Sequence, residues 1–301
     1  MAPDGYAWWY VDGISDDGLR AITVIGFIGS VFSPYYGWAG RKRPHDHCSI
    51  NVVLCGRGGR WAMTERGIDA VVQTADRFQV GPSALEWRDD ALNIELDEVA
   101  VPHLTRLKGR IVLRPLAVTA IEARLDPDGA HVWRPFAPVA RIDVEIDRPG
   151  WRWSGHGYFD ANFGTRALEA DFRNWTWARM PVEDGAMTVY DAMRRDGSRL
   201  ELGLRFDREG RAEPHQAPAA APLGRTFWAL KRGMRADAGY RPRQEMAMLD
   251  VPFYSRSMVR TRIDGEETVG VHEHLDLDRF ASPLLKPLLA FRMPRRTSRK
   301  I

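Results

Sequence analysis

The stretch Trp151 to Gly164, WRWSGHGYFDANFG, holds the densest run of reactive side-chain types in the chain. Read as a strand, its side chains alternate between faces, so His156, Tyr158 and Asp160 share one. That row sets an imidazole, a phenol and a carboxyl side by side. Phe159 and Phe163 flank it, and Gly155, Gly157 and Gly164 permit close approach of backbone or ligand. A second pair of matching parity, His131 and Trp133, follows the turn Asp126-Pro127-Asp128-Gly129 and is placed to face the row from a neighbouring strand. A carboxyl surrounded by aromatic rings has its charged form disfavoured by desolvation and can stay protonated near neutral pH. Protonated, Asp160 is a proton donor, and Trp and Tyr faces beside it stabilise a cation by roughly 0.5–2 kcal/mol each. Donor, aromatic cage and a dry barrel together suit protonation of an unactivated alkene. The plainer reading has Asp160 bonded to a turn, with Tyr158 and His156 as satisfied core groups.

Other motifs carry less. His45-Asp46-His47 and His272-Glu273-His274 would each put two imidazoles on one strand face. No Cys-x-x-Cys accompanies them and they lie far apart in sequence, so no metal site is expected. Gly56-Arg57-Gly58-Gly59 lacks the Lys-Ser/Thr of a phosphate loop and reads as a hairpin turn. Cys48 and Cys55 sit in an apolar run and read as two buried thiols of a reducing compartment.

The elements that must hold these residues have a period of two. Leu92 to Asp97, Ile142 to Ile146 and Leu200 to Phe206 alternate apolar and polar, which marks strands with one buried face. Further strands are expected at Ala7–Asp12, Ala21–Phe27, Cys48–Leu54, Arg106–Leu113, Trp151–Asp160 and Arg173–Met180. Three more follow at Ala186–Tyr190, Ser255–Ile263 and Thr268–Leu277. Asp-Gly turns punctuate them at Asp17-Gly18, Asp128-Gly129, Asp184-Gly185, Asp196-Gly197 and Asp264-Gly265. The chain therefore reads as all-β, built of antiparallel barrels or sandwiches. Its 301 residues suggest two domains, 1–166 and 167–301.

Lys and Arg exceed Asp and Glu by 43 to 40, a charge of +3 that is too small and too scattered to argue for nucleic acid. Eleven Trp, twelve Phe and eight Tyr are a heavy aromatic load, expected partly to line a dry barrel around Asp160 and partly to meet a membrane. The longest apolar stretch, Ala21 to Phe32, is too short to span a bilayer, and no secretory leader precedes it. A soluble or peripherally bound protein on the cytoplasmic side is expected. The tail sets Leu284, Leu285, Leu288 and Leu289 beside Arg292, Arg295, Arg296, Arg299 and Lys300. It reads either as a frayed, solvated terminus or as a short helical, basic contact with a membrane surface.

Several long blocks resemble the bacterial carotenoid 1,2-hydratases, or hydroxyneurosporene synthases. These are WWYVDGISDDGLRAITVIGFIGSVFSPYYGWA, HCSINVVLCG, RWAMTERG, HVW and GHGYFDANFGTRALE, and the similarity runs from about Tyr6 to Leu277. The resemblance implies two lipocalin-like, calycin-type barrels in tandem. It also implies addition of water to the terminal C1=C2 bond of acyclic carotenoids such as neurosporene and lycopene, without redox cofactor or metal. It assigns catalysis to His131, Trp133, Tyr158 and Asp160, leaving His156, Phe159 and Phe163 as neighbours that contact substrate. The expected partners are the carotenoid, a membrane surface and other enzymes of the same pathway. A carotenoid carrier without turnover, or a pericyclase on the same fold, would use the barrel without needing the acid.

Overall fold

A computed structural model describes residues 1–296. They divide into two compact units, Met1–Ala167 joined by the segment from Pro283 onward, and Leu168–Ser282. The first unit contains β1 (Tyr6–Ser15), β2 (Ala21–Ile28), β3 (Cys48–Cys55), β4 (Arg60–Arg66), β5 (Val71–Gln73), β6 (Arg77–Val80), β7 (Ser83–Arg88), β8 (Ala91–Ala100), β9 (Thr105–Pro115), β10 (Ala123–Arg124), β11 (His131–Arg148) and β12 (Trp151–Gly164). Their hydrogen-bonded order is β4-β3-β2-β1-β12-β11-β9-β8-β7-β6-β5, with β10 beside β11, and every one of these pairs is antiparallel.

This sheet curls around its own core. Trp9 on β1 and Phe78 on β6 stand far apart in the strand order, yet their ring centroids are 4.9 Å apart. Val11, Ile22, Ile50, Leu85, Ile94 and Ile142, from six different strands, meet in one buried cluster. Each such side chain contributes about 1.5–3 kcal/mol by leaving water. Gly157 serves this packing, since a Cβ there would lie 3.0 Å from Ile142 Cβ and 3.1 Å from Leu113 Cδ1. Cys48 and Cys55 are both buried and free.

The second unit holds β13 (Phe172–Val182), β14 (Gly185–Arg194), β15 (Arg199–Asp207), β16 (Ala212–Pro214), β17 (Ala220–Leu223), β18 (Arg232–Arg235), β19 (Arg243–Val251), β20 (Tyr254–Ile263) and β21 (Glu266–Asp276). Seven of these form a sheet in the order β16-β15-β14-β13-β21-β20-β19, and β17 pairs with β18 as a separate ribbon. Leu223 and Met234 of the ribbon pack with Met180, Val189 and Val259 of the sheet. The all-β, lipocalin-like expectation holds, in the form of curled antiparallel sheets.

The C-terminal segment differs from both of its sequence readings in one respect. Attached to the second domain in the sequence reading, it clusters with the first unit. The helix Leu285–Arg292 leads into β22 (Arg295–Arg296), which pairs in parallel with β4. Arg295 there reaches the buried Glu65 carboxylate and lies 2.9 Å from His47 Nδ1. A guanidinium closing on a buried acid gives this part of the tail a fixed seat. Arg299 and Lys300 lie outside the described residues.

Candidate active site

Three adjacent strands, β1, β12 and β11, bring the reactive residues together. Across β1 and β12, Asp12 faces Tyr158, Tyr10 faces Asp160, Trp8 faces Asn162 and Tyr6 faces Gly164. On the other flank of β12, Trp133 faces Asn162 and His131 faces Gly164. Directly opposed residues project to the same side of a sheet, so these residues form one continuous row. Trp9, Val11 and Phe159 project to the other side, into the core. The expectation that Asp160 lines the barrel interior is therefore corrected. Alternation that sends Phe159 inward sends Tyr158 and Asp160 to the opposite face, where both are nonetheless buried.

The hydrogen bonds on this face centre on one carboxyl oxygen. Trp133 Nε1–H donates to Asp160 Oδ2 at 2.7 Å, and the Tyr158 hydroxyl donates to the same oxygen at 2.8 Å. Asp160 is 4% exposed, while Trp133 and Tyr158 are fully buried. Burial above all pushes the Tyr158 phenol well above its usual value near 10, and its hydrogen bond to Asp160 adds to the shift. Tyr158 is therefore a lasting donor and not a base. On the next strand the Tyr10 hydroxyl donates to Asp12 Oδ2 at 2.9 Å, and the Tyr10 and Tyr158 rings meet edge-on at 6.2 Å.

The other end of the row is built around His131. Its Nδ1 lies 2.8 Å from the Tyr6 hydroxyl, and the Tyr6 ring stacks on Trp8 at 5.0 Å. Tyr6 and His131 sit on strands that flank β12, so this bond must cross over Gly164. A Cβ at Gly164 would stand 2.5–2.7 Å from the Tyr6 ring and hydroxyl, which is why no side chain fits there. The turn before β11 fixes the His131 backbone. Asp126 accepts from the amides of Asp128, Ala130 and His131, the last at 2.7 Å, and Gly129 takes the left-handed φ of +70° that the turn needs.

Of the seven residues singled out in the sequence, Trp133, Tyr158 and Asp160 touch, with His131 further along the same face. Phe159 instead lines a cavity of about 470 Å³ inside the first sheet, together with Trp9, Phe78, Trp87 and Phe136. His156 is half-buried and pairs in register with Ile14 and Arg141, four residues from Asp160. The nearby Asp16 carboxyl is held low chiefly by a hydrogen bond from Arg141. Phe163 is half-buried and has the parity of Phe159.

Sequence reasoning missed Tyr6, Tyr10, Asp12 and Asn162. A signal was present, because Tyr6, Trp8, Tyr10 and Asp12 alternate along β1 just as Tyr158, Asp160 and Asn162 do along β12. The Asn162 side chain is 4% exposed, and its Nδ2 has no hydrogen-bond partner among the described residues. A buried donor of that kind is where a water or a ligand oxygen belongs.

The histidine pairs have other duties. His47 Nδ1 lies 2.8 Å from Glu65 Oε1, and His45 sits in the 3-10 turn Pro44–Asp46 and not on a strand. His272 Nε2 bonds the Gly233 carbonyl at 2.8 Å, and His274 bonds Thr176. Among the described residues no three His, Cys, Asp or Glu side chains group closely enough to hold a metal ion, and no helix is long and apolar enough to cross a membrane.

Curled antiparallel sheets with a buried carboxyl set among Trp and Tyr donors define a lipocalin-like β protein. Its fold is shared with an AttH-type protein of Nitrosomonas europaea, at a TM-score of 0.65 and 14% identity, covering 90% of this chain and 92% of that one. The family follows from sequence: the carotenoid hydratase family CrtC matches residues 24–301, and the chain belongs to it. The acyclic carotenoid 1,2-hydratase of Cereibacter sphaeroides is 58% identical over 274 residues, 91% of this chain and 98% of the relative. That of Rhodobacter capsulatus is 52% identical over 279 residues, 92% of this chain and 99% of the relative.

Proposed function

We propose that the protein is a hydro-lyase that adds water to the terminal C1=C2 double bond of acyclic carotenoids, with Asp160 as the acid. The observation that carries the assignment is the burial of Asp160 against Trp133 and Tyr158, which disfavours the charged carboxylate, while their two donors to Oδ2 hold the group in place. With that oxygen accepting twice, the proton of a neutral Asp160 resides on Oδ1.

Asp160 gives its Oδ1 proton to C2, the π pair forms the new C–H bond, and a tertiary cation remains at C1. The Trp133 and Tyr158 rings face that charge. A water held at Asn162 Nδ2 attacks C1 through an oxygen lone pair, and the resulting oxonium loses a proton to His131. Passage of that proton back to the Asp160 carboxylate restores the acid, so the net change is alkene plus water to tertiary alcohol. By strand geometry Asn162 stands about 7 Å from Asp160 along β12, and His131 about 14 Å away, Cα to Cα. Acid and base thus act from opposite sides of the reacting group, with the water between them. The reaction asks only for acid, water and base, and it is redox-neutral overall, C2 gaining hydrogen as C1 gains oxygen.

Such a substrate dissolves in membranes and not in water. The protein therefore works at a membrane surface or receives its substrate from another enzyme of the pathway. Free, buried Cys48 and Cys55 suit the reducing, cytoplasmic side. Pigment analysis of lycopene-producing cells tests the assignment. The parent chain is expected to yield a product heavier by one water, and Asp160→Asn to yield almost none. Equal yields would remove Asp160 from the role of acid.

The cavity behind Phe159 favours a second reading, in which the first sheet holds an apolar ligand without turnover. In that case no hydrated product accumulates with either chain.

A further inference from the structure

The C-terminal helix shows water a face that a folded protein normally covers. Leu284, Leu288 and Phe291 are 80%, 61% and 68% exposed. Their spacing of four and three residues puts all three on one stripe of the helix, and Leu284 already has helical backbone angles. Trp38, at the end of the helix Pro34–Trp38, adds a fourth large apolar side chain, 55% exposed.

The two helices are held together. The Tyr35 hydroxyl donates to the Ala290 carbonyl at 3.5 Å, and the Tyr35 and Trp38 rings meet edge-on at 5.6 Å. Lys286 Nζ lies within reach of Gly37, and Arg292 sits over the Trp61 ring at 4.9 Å. From Ala281 to Ile301 the sequence has Lys286, Arg292, Arg295, Arg296, Arg299 and Lys300 and not one acid. Beside the apolar stripe lies a recess of about 370 Å³ lined by Tyr35, Trp38, Lys42, Arg43, Asp46 and Arg295, in which Asp46 pairs with Arg43 at 3.4 Å.

We propose that this face is a docking surface for an anionic membrane, with Trp38, Leu284, Leu288 and Phe291 entering the headgroup region and the surrounding cations meeting lipid phosphates. Charge decides between the possible occupants. A second copy of the chain would set these like-charged borders against each other, whereas an anionic bilayer complements them. The proposal rests on the hydratase reading for its purpose, since a membrane-dissolved polyene must be met at a bilayer, but the contact itself needs no turnover.

Co-sedimentation of the full chain with phosphatidylcholine vesicles, with and without phosphatidylglycerol, tests it. The parent is expected to pellet with the anionic vesicles and to remain largely in the supernatant with neutral ones. Leu284→Ser/Leu288→Ser/Phe291→Ser should abolish pelleting. Lys42→Gln/Lys286→Gln/Arg296→Gln should weaken binding to anionic vesicles by roughly fivefold per cation removed. Both variants should hydrate detergent-dispersed lycopene at the parental rate and lose rate only on lycopene held in vesicles. Parental pelleting by the apolar variant, or a parent that ignores both vesicle types, would overturn the proposal. So would a parent that forms a dimer in sedimentation velocity, with the variant monomeric and neither binding vesicles. Loss of hydration in detergent by the parent would instead strike the hydratase reading and leave the vesicle result standing.

Discussion

The two faces of the β1-β12-β11 wall do opposite things with the same backbone. One face presents Trp9, Val11, Ile142 and Phe159 to a core built mainly of aliphatic side chains. The other presents Tyr6, Tyr10, Asp12, Tyr158 and Asp160, each joined to another polar group at 2.7–2.9 Å. Apolar packing is non-directional and tolerates small adjustments, whereas a hydrogen-bonded carboxyl among aromatic donors fixes where a proton sits. On the proposed reading, alternation alone separates stability from chemistry. Substitutions on the inner face should cost folding and spare turnover per folded molecule, and substitutions on the outer face should do the reverse.

The largest test of this division is Asp160→Asn. The amide keeps the size of the carboxyl but removes the acid, and loss of a positioned general acid costs on the order of 10²–10⁴ in rate. Turnover of lycopene should fall by that amount while the thermal midpoint moves by only a few degrees. A variant that unfolds before it loses activity would show Asp160 to be a structural group and erase the distinction between the faces.

Phe159→Ala is its mirror image. The ring stacks on Phe136 at 5.3 Å and belongs to the inward cluster. Truncation of a buried Phe costs about 3–5 kcal/mol. The low end is expected here, because the ring already borders a cavity of about 470 Å³ and loses fewer neighbours than a fully enclosed one. Urea titration should show this loss, and the rate per folded molecule should stay near the parental value. A collapse of the specific rate would mean that the inner face touches substrate after all.

Acid separates the two kinds of group again, this time in the second unit. Burial pushes His272 down to about 3 and His274 down to about 4. Both stay neutral in the folded chain while an unfolded His takes up a proton below about 6.5. Between those limits the unfolded state binds more protons, so stability falls as pH falls. At pH 5 the two together amount to an expected loss of about 3–4 kcal/mol relative to neutral pH, nearly 2 kcal/mol of it from His272. His272→Phe should flatten the dependence of the urea midpoint between pH 7 and 5 by about its half. An unchanged slope would place the acid sensitivity elsewhere, on carboxyls or on the first unit.

Much of this was legible in the sequence because strands write their faces into every second residue. The alternating runs at Leu92, Ile142 and Leu200 lie within β8, β11 and β15, and the row Tyr158-Asp160 and the pair His131-Trp133 lie on adjacent strands with matching faces. What parity cannot say is which face turns inward. Reactive side chains are expected in a cavity, so Asp160 reads as lining the barrel, whereas the alternation along β12 gives that place to Phe159. The strands β5, β6, β17 and β18 are only three or four residues long, too short to show a period. Pairings such as β1 with β12, or β22 with β4, join residues far apart in sequence and leave no local mark. The seat of Arg295 on Glu65 is of that kind, which is why the sequence leaves the tail open between a frayed end and a basic surface contact.

The finest division runs along the outer face itself, between the Asp160 end and the His131 end. Tyr6→Phe removes only the hydroxyl 2.8 Å from His131 Nδ1 and keeps the ring that stacks on Trp8. Loss of such a buried hydrogen bond costs about 1 kcal/mol of stability, and turnover should fall several-fold as the His131 ring loses its anchor. Gly164→Ala reaches the same bond from the other side. Its Cβ would lie 2.5–2.7 Å from the Tyr6 ring and hydroxyl, so the ring must move off and take the hydroxyl with it. If His131 is the base, both variants should shift the acidic limb of the pH-rate profile in the same direction and should leave alone the residual activity of Asp160→Asn. A profile that merely scales down in both, with no shift, would show the Tyr6 end to be packing and confine the chemistry to Asp160, Trp133, Tyr158 and Asn162.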